Sequence, residues 1–434
     1  MGTAWKTLVS NGFPFRSLWH AVRPCLIAAG CAAAAAVCGG EAGAQSSRGG
    51  GTLWDQPFDR SLARNWEASP TKGFPTLSTA NLEPMRAAIQ RYQGIVDRGG
   101  WPTLPAYELR TGTWNRAVVT LRQRLELSGD LRQPGGRPRV FDYYVEAALK
   151  RFQMRHGLEP TGVVDEATLL ALNVPADVRL RQLRLNLHRL EELTQKVPSR
   201  HVIVNIPAAQ VEVVENDRVV LRHSAVVGKI DRQTPELQSK IHEVNFNPYW
   251  RVPKSIVEKD LVPKARQYVR DGMDIVEAYK LEIFDAKGER LDPHRIDWFS
   301  DDVYTYSYRQ VPWEENSLGF VKINFHNKHA VYLHDTPMKD LFGSNFRAES
   351  SGCVRVQNVE TLAAWLLRDN PEWNSSRVLE MKHTGEQRDV ELKTRVPLYF
   401  IYLTAWATPD GITQFRRDLY EKDGVGVTTS ASAY

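Results

Sequence analysis

The apolar residues of this chain change their period near residue 200, and that switch constrains the fold more than any other feature. Before it, apolar positions recur every three or four residues: Met85, Ile89, Tyr92 and Val96, then Val118, Leu121 and Leu125, then Ala148, Leu149 and Phe152, then Leu180, Leu183, Leu187 and Leu190. This spacing predicts amphipathic helices over 82–98, within 115–172 and over 178–195. From Val202 the period is two. Val202, Val204 and Ile206 take alternate positions, and Val211, Val213 and Val219-Val220-Leu221 flank Glu215-Asn-Asp-Arg218, a hairpin-like turn. The chain therefore reads as α+β, helices first and strands second. Lys196-Val-Pro198-Ser199 ends the last helix and marks the boundary. Within the strand-rich half, residues 257–300 differ, with helical stretches such as 264–270 and many charges, and read as an insertion.

Composition narrows the class. At 434 residues, 42% hydrophobic and 25% charged, the chain can bury two or three cores, which excludes disorder and a small stapled scaffold. Its 56 Lys and Arg face 51 Asp and Glu with no basic stripe, so no nucleic-acid partner is expected. The longest strongly apolar run, Leu26 to Cys38, falls well short of the roughly 20 residues of a membrane span. It follows Lys6, Arg16 and Arg23 and precedes Ala42-Gly43-Ala44, the order of a secretory signal. Residues 1–44 are thus expected to be a signal peptide, 45–74 a flexible linker and 422–434 a flexible tail. Ala-Gly-Cys31 leaves lipidation at Cys31 as a minor option.

Removal of residues 1–44 would leave Cys353 as the one cysteine of the exported chain. A lone cysteine is either a small buried hydrophobe or a reactive thiol, and its neighbours decide. Cys353 follows Ser350-Ser351-Gly352 and precedes Val354-Arg355-Val356, with His334 19 positions upstream. A thiol nucleophile needs a base and hydrogen-bond donors for the oxyanion; His334 can supply the first, and Gly352 lets main-chain amides approach a carbonyl. Cys353 is expected at the mouth of a strand, and Asn358 as the cap of a helix burying Val359, Leu362, Ala363, Leu366 and Leu367. The other histidines lack zinc-site spacing, and no phosphate-binding glycine loop is present, so neither metal nor cofactor is expected. His326 and His329 read as surface residues, and Asp301-Asp302 as a solvated loop.

Two resemblances add to this reading. Val118-Val-Thr-Leu-Arg-Gln-Arg-Leu125, Phe141-Asp142, Phe152-Gln-Met-Arg-His-Gly-Leu158 and Thr161-Gly-Val-Val-Asp-Glu-Ala-Thr168 resemble a three-helix peptidoglycan-binding domain, over about 114–173. His334, then fifteen residues, then Ser350-Ser-Gly-Cys353-Val-Arg355 resembles the catalytic pattern of the L,D-transpeptidases of the YkuD type. Ser351 stands where the motif has a second histidine, as in a branch of larger periplasmic members. Arg232-Gln-Thr-Pro235, Phe246-Asn-Pro-Tyr-Trp250, Tyr332-Leu-His-Asp-Thr-Pro337 and Tyr402-Leu-Thr-Ala-Trp406 also look like that branch.

The resemblance covers about 75–421. It implies a helical scaffold over 75–199, a catalytic domain over 200–421 and a lid over about 257–300. It implies Cys353 as nucleophile, His334 as general base, the Asp335 main-chain carbonyl as the group orienting the histidine, and the amides around Gly352 and Cys353 as the oxyanion hole. Arg355 either holds its strand or meets a substrate carboxylate. Tyr249, Trp250 and Tyr332 either line the cleft or pack in the core, and Ser350 and Ser351 either form the turn or touch substrate. The implied reaction is 3-3 crosslinking of peptidoglycan in the periplasm through a Cys thioester. A tetrapeptide donor stem loses D-Ala, an acceptor stem supplies the amine, and other cell-wall synthases are possible partners. Carbapenems would acylate Cys353. The rivals are an L,D-carboxypeptidase, an enzyme anchoring a protein to the wall, and a non-catalytic wall-binding scaffold.

Overall fold

The computed structural model describes residues 73–133 and 135–424. The expected signal peptide, the linker up to residue 72 and the tail beyond residue 424 lie outside the described residues. Among the described residues, no helix is long and apolar enough to cross a membrane.

Helices occupy the first half: α1 (Leu82–Asp97), α2 (Ala117–Leu127), α3 (Tyr143–Arg155), α4 (Glu166–Asn173) and α5 (Ala176–Leu193). On α1 the buried stripe is Met85, Ala88, Tyr92 and Ile95, with Ile89 and Val96 on its flank. The small Ala88 lets α1 approach the apolar face it shares with Leu180, Leu183 and Leu190 of α5. Helices α2 to α4 enclose a separate core of Val118, Leu121, Leu125, Val145, Leu149, Phe152 and Leu172. Asp142 caps α3 by accepting from the Tyr144 and Val145 amides. Gln153 explains why two motifs of this module belong together. Its buried Nε2 lies 3.1, 2.9 and 3.0 Å from Thr161 Oγ1, Val163 O and Thr168 Oγ1, among which its two N–H donors are shared, and its Oε1 accepts from the Gly162 amide at 2.8 Å.

The second half is built on β1 (Arg200–Asn205), β2 (Gln210–Glu215), β3 (Arg218–Gly228) and β4 (Leu237–Phe246), followed by β5 (Trp250–Arg251), β6 (Leu281–Phe284) and β7 (Ser307–Gln310). Next come β8 (Val321–Phe325), β9 (Leu333–His334), β10 (Ala348–Ser350), β11 (Val354–Val356) and β12 (Arg388–Ile401), with a final hairpin of β13 (Ala405–Ala407) and β14 (Thr413–Phe415). The main sheet runs β10-β3-β11-β9-β8-β4-β12-β1-β2, and β2 pairs back onto β3, so it closes on itself. The β2–β3 turn places Asn216 and Asp217 at φ 49° and 58°, the left-handed pair a tight hairpin requires. One face of this sheet packs on α8 (Val359–Leu367) and α9 (Ser375–Thr384), through Val204, Ile323, Leu333, Val354, Leu362 and Met381.

Residues 250–310 have a core of their own, formed by Val262, Ala265, Ile275, Ile283, Trp298 and Tyr308. The helices expected here are present as α6 (Val262–Arg270) and α7 (Ile275–Tyr279), α6 preceded by a π-helical turn at Val257–Leu261. The body is not purely helical, however: β6 and β5 flank β7 in a three-stranded antiparallel sheet. Its span therefore exceeds the expected 257–300 at both ends, because the strands that carry it lie outside the charged stretch visible in the sequence. A second difference concerns Asn358. It sits at the start of α8 with φ 50°, and its side chain accepts no helix-capping hydrogen bond; its carbonyl instead accepts from Thr361.

Candidate active site

Three short strands assemble the site. Strand β11 lies parallel to β9 with Val354 opposite Leu333 and Arg355 opposite His334, and the Val354 amide donates to Tyr332 O at 3.1 Å. Because side chains alternate along a strand, Leu333 and Val354 enter the core, whereas Tyr332, His334, Cys353 and Arg355 share the other face. On the other side, antiparallel β8 sets Lys322 opposite His334. Lys322 Nζ lies 4.7 Å from the centre of the Tyr332 ring, and that ring meets the His334 imidazole edge-on at 5.5 Å.

The loop before Cys353 is held from both ends. Gly352 has φ 113°, a conformation other L-residues rarely adopt, and its carbonyl accepts from Thr234 Oγ1 at 2.9 Å. Ser350 Oγ accepts from the Gly352 amide at 3.1 Å and donates to Cys353 O at 2.5 Å. The Gly352 N–H is thus already used within the loop. The Cys353 amide makes no hydrogen bond among the described residues, so it is the loop donor left for an oxyanion. Gly352 serves the site through its conformation.

The electrostatics favour an uncharged pair. Burial, reinforced by the cations Arg355, Lys322 and Lys339, pushes the His334 imidazole down to about 3. Burial also pushes the Cys353 thiol up, against hydrogen bonds from Tyr332 and the charges of Lys322 and Arg355, which favour thiolate. At neutral pH the site therefore holds thiol and neutral imidazole, the state in which His334 can act as a base. The Asp335 main chain is the group that favours protonated His334. Even so, the buried His334 Nδ1 makes no hydrogen bond of good geometry. The Asp335 carboxylate is turned away: it pairs with Lys339 and accepts from the Phe320 amide at 3.2 Å.

Comparison with known proteins bears on this geometry. Residues 199–396 match the YkuD family, described as the L,D-transpeptidase catalytic domain, and residues 115–172 match a family described as "Putative peptidoglycan binding domain". Just under half of the chain thus matches the L,D-transpeptidase catalytic-domain family, with a peptidoglycan-binding match on its N-terminal side. A curated relative from Haemophilus influenzae, named "Putative L,D-transpeptidase", is 31% identical over 246 residues, covering 56% of this chain and 48% of that protein. The chain thus spans about half the length of the curated relative it matches. Among solved structures, the L,D-transpeptidase from Stackebrandtia nassauensis is 14% identical, with 69% of this chain and 96% of that chain covered and a TM-score of 0.27. The L,D-transpeptidase from Mycobacterium smegmatis is 13% identical, with 47% and 58% covered and a TM-score of 0.23. Similarities of that size carry no argument about the site.

Within the YkuD match the remaining candidates separate. Arg355 is half-buried, its Nε is enclosed without a partner, and its nearest polar contact is Met338 Sδ at 3.8 Å. Among the described residues it forms no close ion pair and feels the Glu349 carboxylate only at longer range, an arrangement suited to meeting a carboxylate from outside. Trp250 is half-buried with its enclosed indole N–H beside the Tyr332 hydroxyl, though not in good hydrogen-bond geometry, whereas Tyr249 is 40% exposed beneath the Arg309 guanidinium at 4.4 Å, on the rim of the 250–310 body. Ser351 is exposed, and its Oγ accepts from Arg232 at 2.9 Å; Arg232 in turn forms an ion pair with Asp260 of the π-helical turn. His326, His329, Asp301 and Asp302 are exposed. No cluster of His, Cys, Asp or Glu among the described residues could hold a metal ion.

Lys322 is the site residue that sequence reading missed. Its alternation with Val321, Ile323 and Phe325 places it on the polar face of β8, but only the β8–β9 register brings that face to His334. Replacing it with methionine should raise the thiol's titration midpoint by roughly one pH unit, because a cation favouring thiolate is lost. Lys322→Arg should hold the midpoint. The rate of iodoacetamide alkylation against pH measures it, and equal midpoints in all three proteins would remove Lys322 from the site's electrostatics.

Proposed function

We propose that this chain is an exported peptidoglycan L,D-transpeptidase acting in the periplasm and forming 3-3 crosslinks. The observation that carries the reading is the shared sheet face of Cys353, His334 and Arg355 beside an unoccupied Cys353 amide. His334 takes the thiol proton as Sγ attacks the carbonyl of the L-centre of a diamino acid in the donor tetrapeptide. The Cys353 amide receives the developing oxyanion. Collapse expels D-Ala, whose amine takes the proton from His334, and a thioester remains on Cys353. An amine of a neighbouring stem then attacks the thioester; His334 accepts its proton and returns it to the departing thiolate. Arg355 is suited to hold a carboxylate of the donor stem.

Crosslinking needs the thioester to meet an amine before water. The 250–310 body supports a role as a lid, since Arg232 ties its Asp260 to Ser351, two residues from the nucleophile. Asp260→Ala should therefore raise tripeptide monomer relative to crosslinked dimer by roughly threefold or more, as the latch loosens and the lid opens more often. An unchanged ratio would sink the lid assignment.

The reading itself is tested by mass spectrometry of the chain lacking its first 44 residues, incubated with disaccharide-tetrapeptide. The expected product is a dimer lighter than two monomers by one alanine. Tripeptide monomer alone would make the protein an L,D-carboxypeptidase, and no turnover would favour a wall-binding scaffold.

A further inference from the structure

A second cavity, of about 530 Å³, lies between the peptidoglycan-binding domain, α1 and the β13–β14 hairpin, and shares no lining residue with the Cys353 site. Its volume is within the range of about 300–1,000 Å³ that encloses a small ligand. Six arginines are among its lining residues, Arg91, Arg132, Arg151, Arg155, Arg222 and Arg416, against two acidic residues, Asp130 and Asp410. The anions within reach are already engaged. Asp130 chelates Arg155 at 2.7 and 2.5 Å, Asp410 accepts from Thr408 Oγ1 at 2.6 Å, and Glu212, behind the wall, pairs with Arg222 at 2.7 Å. Arg91, Arg132, Arg151 and Arg416 have no carboxylate partner among the described residues.

Arg416 shows most clearly that charge is left over. Its Nη1 donates to Arg155 O at 3.0 Å and to Phe415 O at 2.7 Å, Gln414 Oε1 lies 3.3 Å from both Nη1 and Nη2, its Nε is enclosed without a partner, and its guanidinium stacks on Trp406 at 4.8 Å, so its neighbours are neutral oxygens and a ring rather than a carboxylate. Burial together with the like charges of Arg347 and Arg222 outweighs the opposing Glu212 carboxylate and pushes its pKa down to about 9. A guanidinium does not escape such a setting by losing its proton. An anion entering the cavity is the available compensation, and guanidinium forks match carboxylates bidentately.

The geometry points to a binding site for a second peptidoglycan stem peptide, held by its carboxylates between the peptidoglycan-binding domain and the hairpin. The choice of polymer rests on the function proposed above, and on the wall residues Ser128 to Arg132 and Arg151 to Arg155 belonging to the peptidoglycan-binding match. Guanidinium groups spread around the cavity suit a peptide with several separated carboxylates. A stem containing a diamino diacid and ending in D-Ala is such a peptide.

Calorimetric titration of the full chain carrying Cys353→Ala with purified stem tetrapeptide tests this. Arg91 and Arg132 are exposed, so reversing their charge leaves the core intact. Arg91→Glu with Arg132→Glu is expected to weaken one binding component at least about tenfold. The same component should weaken as salt is raised from about 50 to about 300 mM. Affinities indifferent to the charge reversal would overturn the site, and inorganic phosphate binding as tightly as the tetrapeptide would overturn its assignment to a carboxylate peptide. The two readings fail separately. Dimer formation by the wild type with charge-insensitive binding sinks the cavity alone, and charge-sensitive binding without turnover sinks the enzymatic reading alone.

Discussion

Replacing Cys353 with alanine is expected to abolish thioester formation and D-Ala release, a loss of at least about 10⁴-fold, because the acyl intermediate is proposed to form on its sulfur. His334→Gln should cost about 10³–10⁴-fold and leave a signature that a structural defect would not. In the wild type the imidazole is uncharged well below neutrality, titrating near 3, while the thiol titrates above its ordinary range. Falling pH would disable the base only on approaching 3, and rising pH adds no base that is not already present. Acylation by a carbapenem, followed by intact-protein mass spectrometry, should therefore vary little between pH 6 and 8. Without the imidazole only spontaneously formed thiolate reacts, so the residual rate of His334→Gln should climb about tenfold per pH unit until the thiol titrates. A wild-type acid limb near 6.5 would contradict the neutral pair, and a flat residual profile in His334→Gln would remove His334 as the base.

How far the sequence reaches depends on the range of the interaction concerned. The period switch, the Glu215–Arg218 turn and the position of Cys353 just before a strand are local consequences of side-chain pattern and backbone preference, and all appear in the structure. The α+β class follows from them. Lys322 escapes because its neighbourhood depends on which strand pairs with β8. The Arg232 contacts join residues 28 and 119 positions apart, and no periodicity links them. Gly352 is a subtler case. The absence of a side chain suggests an approachable amide, yet Ser350 Oγ, two residues earlier, already takes that amide. The body at 250–310 reads as helical because α6 carries most of the visible pattern, while its strands are short and separated by long loops.

Gly352→Ala should cost about 10²–10³-fold in acylation, the size expected for loss of an oxyanion donor, while leaving the fold intact. A Cβ at Gly352 would find its nearest neighbour, Gln233 O, at 3.5 Å, which is ordinary contact. The penalty is torsional: φ 113° is nearly closed to alanine, at about 1–3 kcal/mol. The loop can relieve that strain by rotating toward negative φ, which moves the Gly352 amide off Ser350 Oγ and swings the next amide, that of Cys353, away from the carbonyl it must serve. Gly228 provides the contrast. A Cβ there would come within 2.2 Å of Arg232 O and 2.6 Å of the Thr234 amide nitrogen, both main-chain atoms, so Gly228→Ala should lower the unfolding temperature as well as activity. Thermal unfolding and carbapenem acylation of the two variants separate the cases. Wild-type acylation in Gly352→Ala would show that the loop's conformation does not aim the Cys353 amide, and equal thermal destabilisation of both variants would make Gly352 a folding residue.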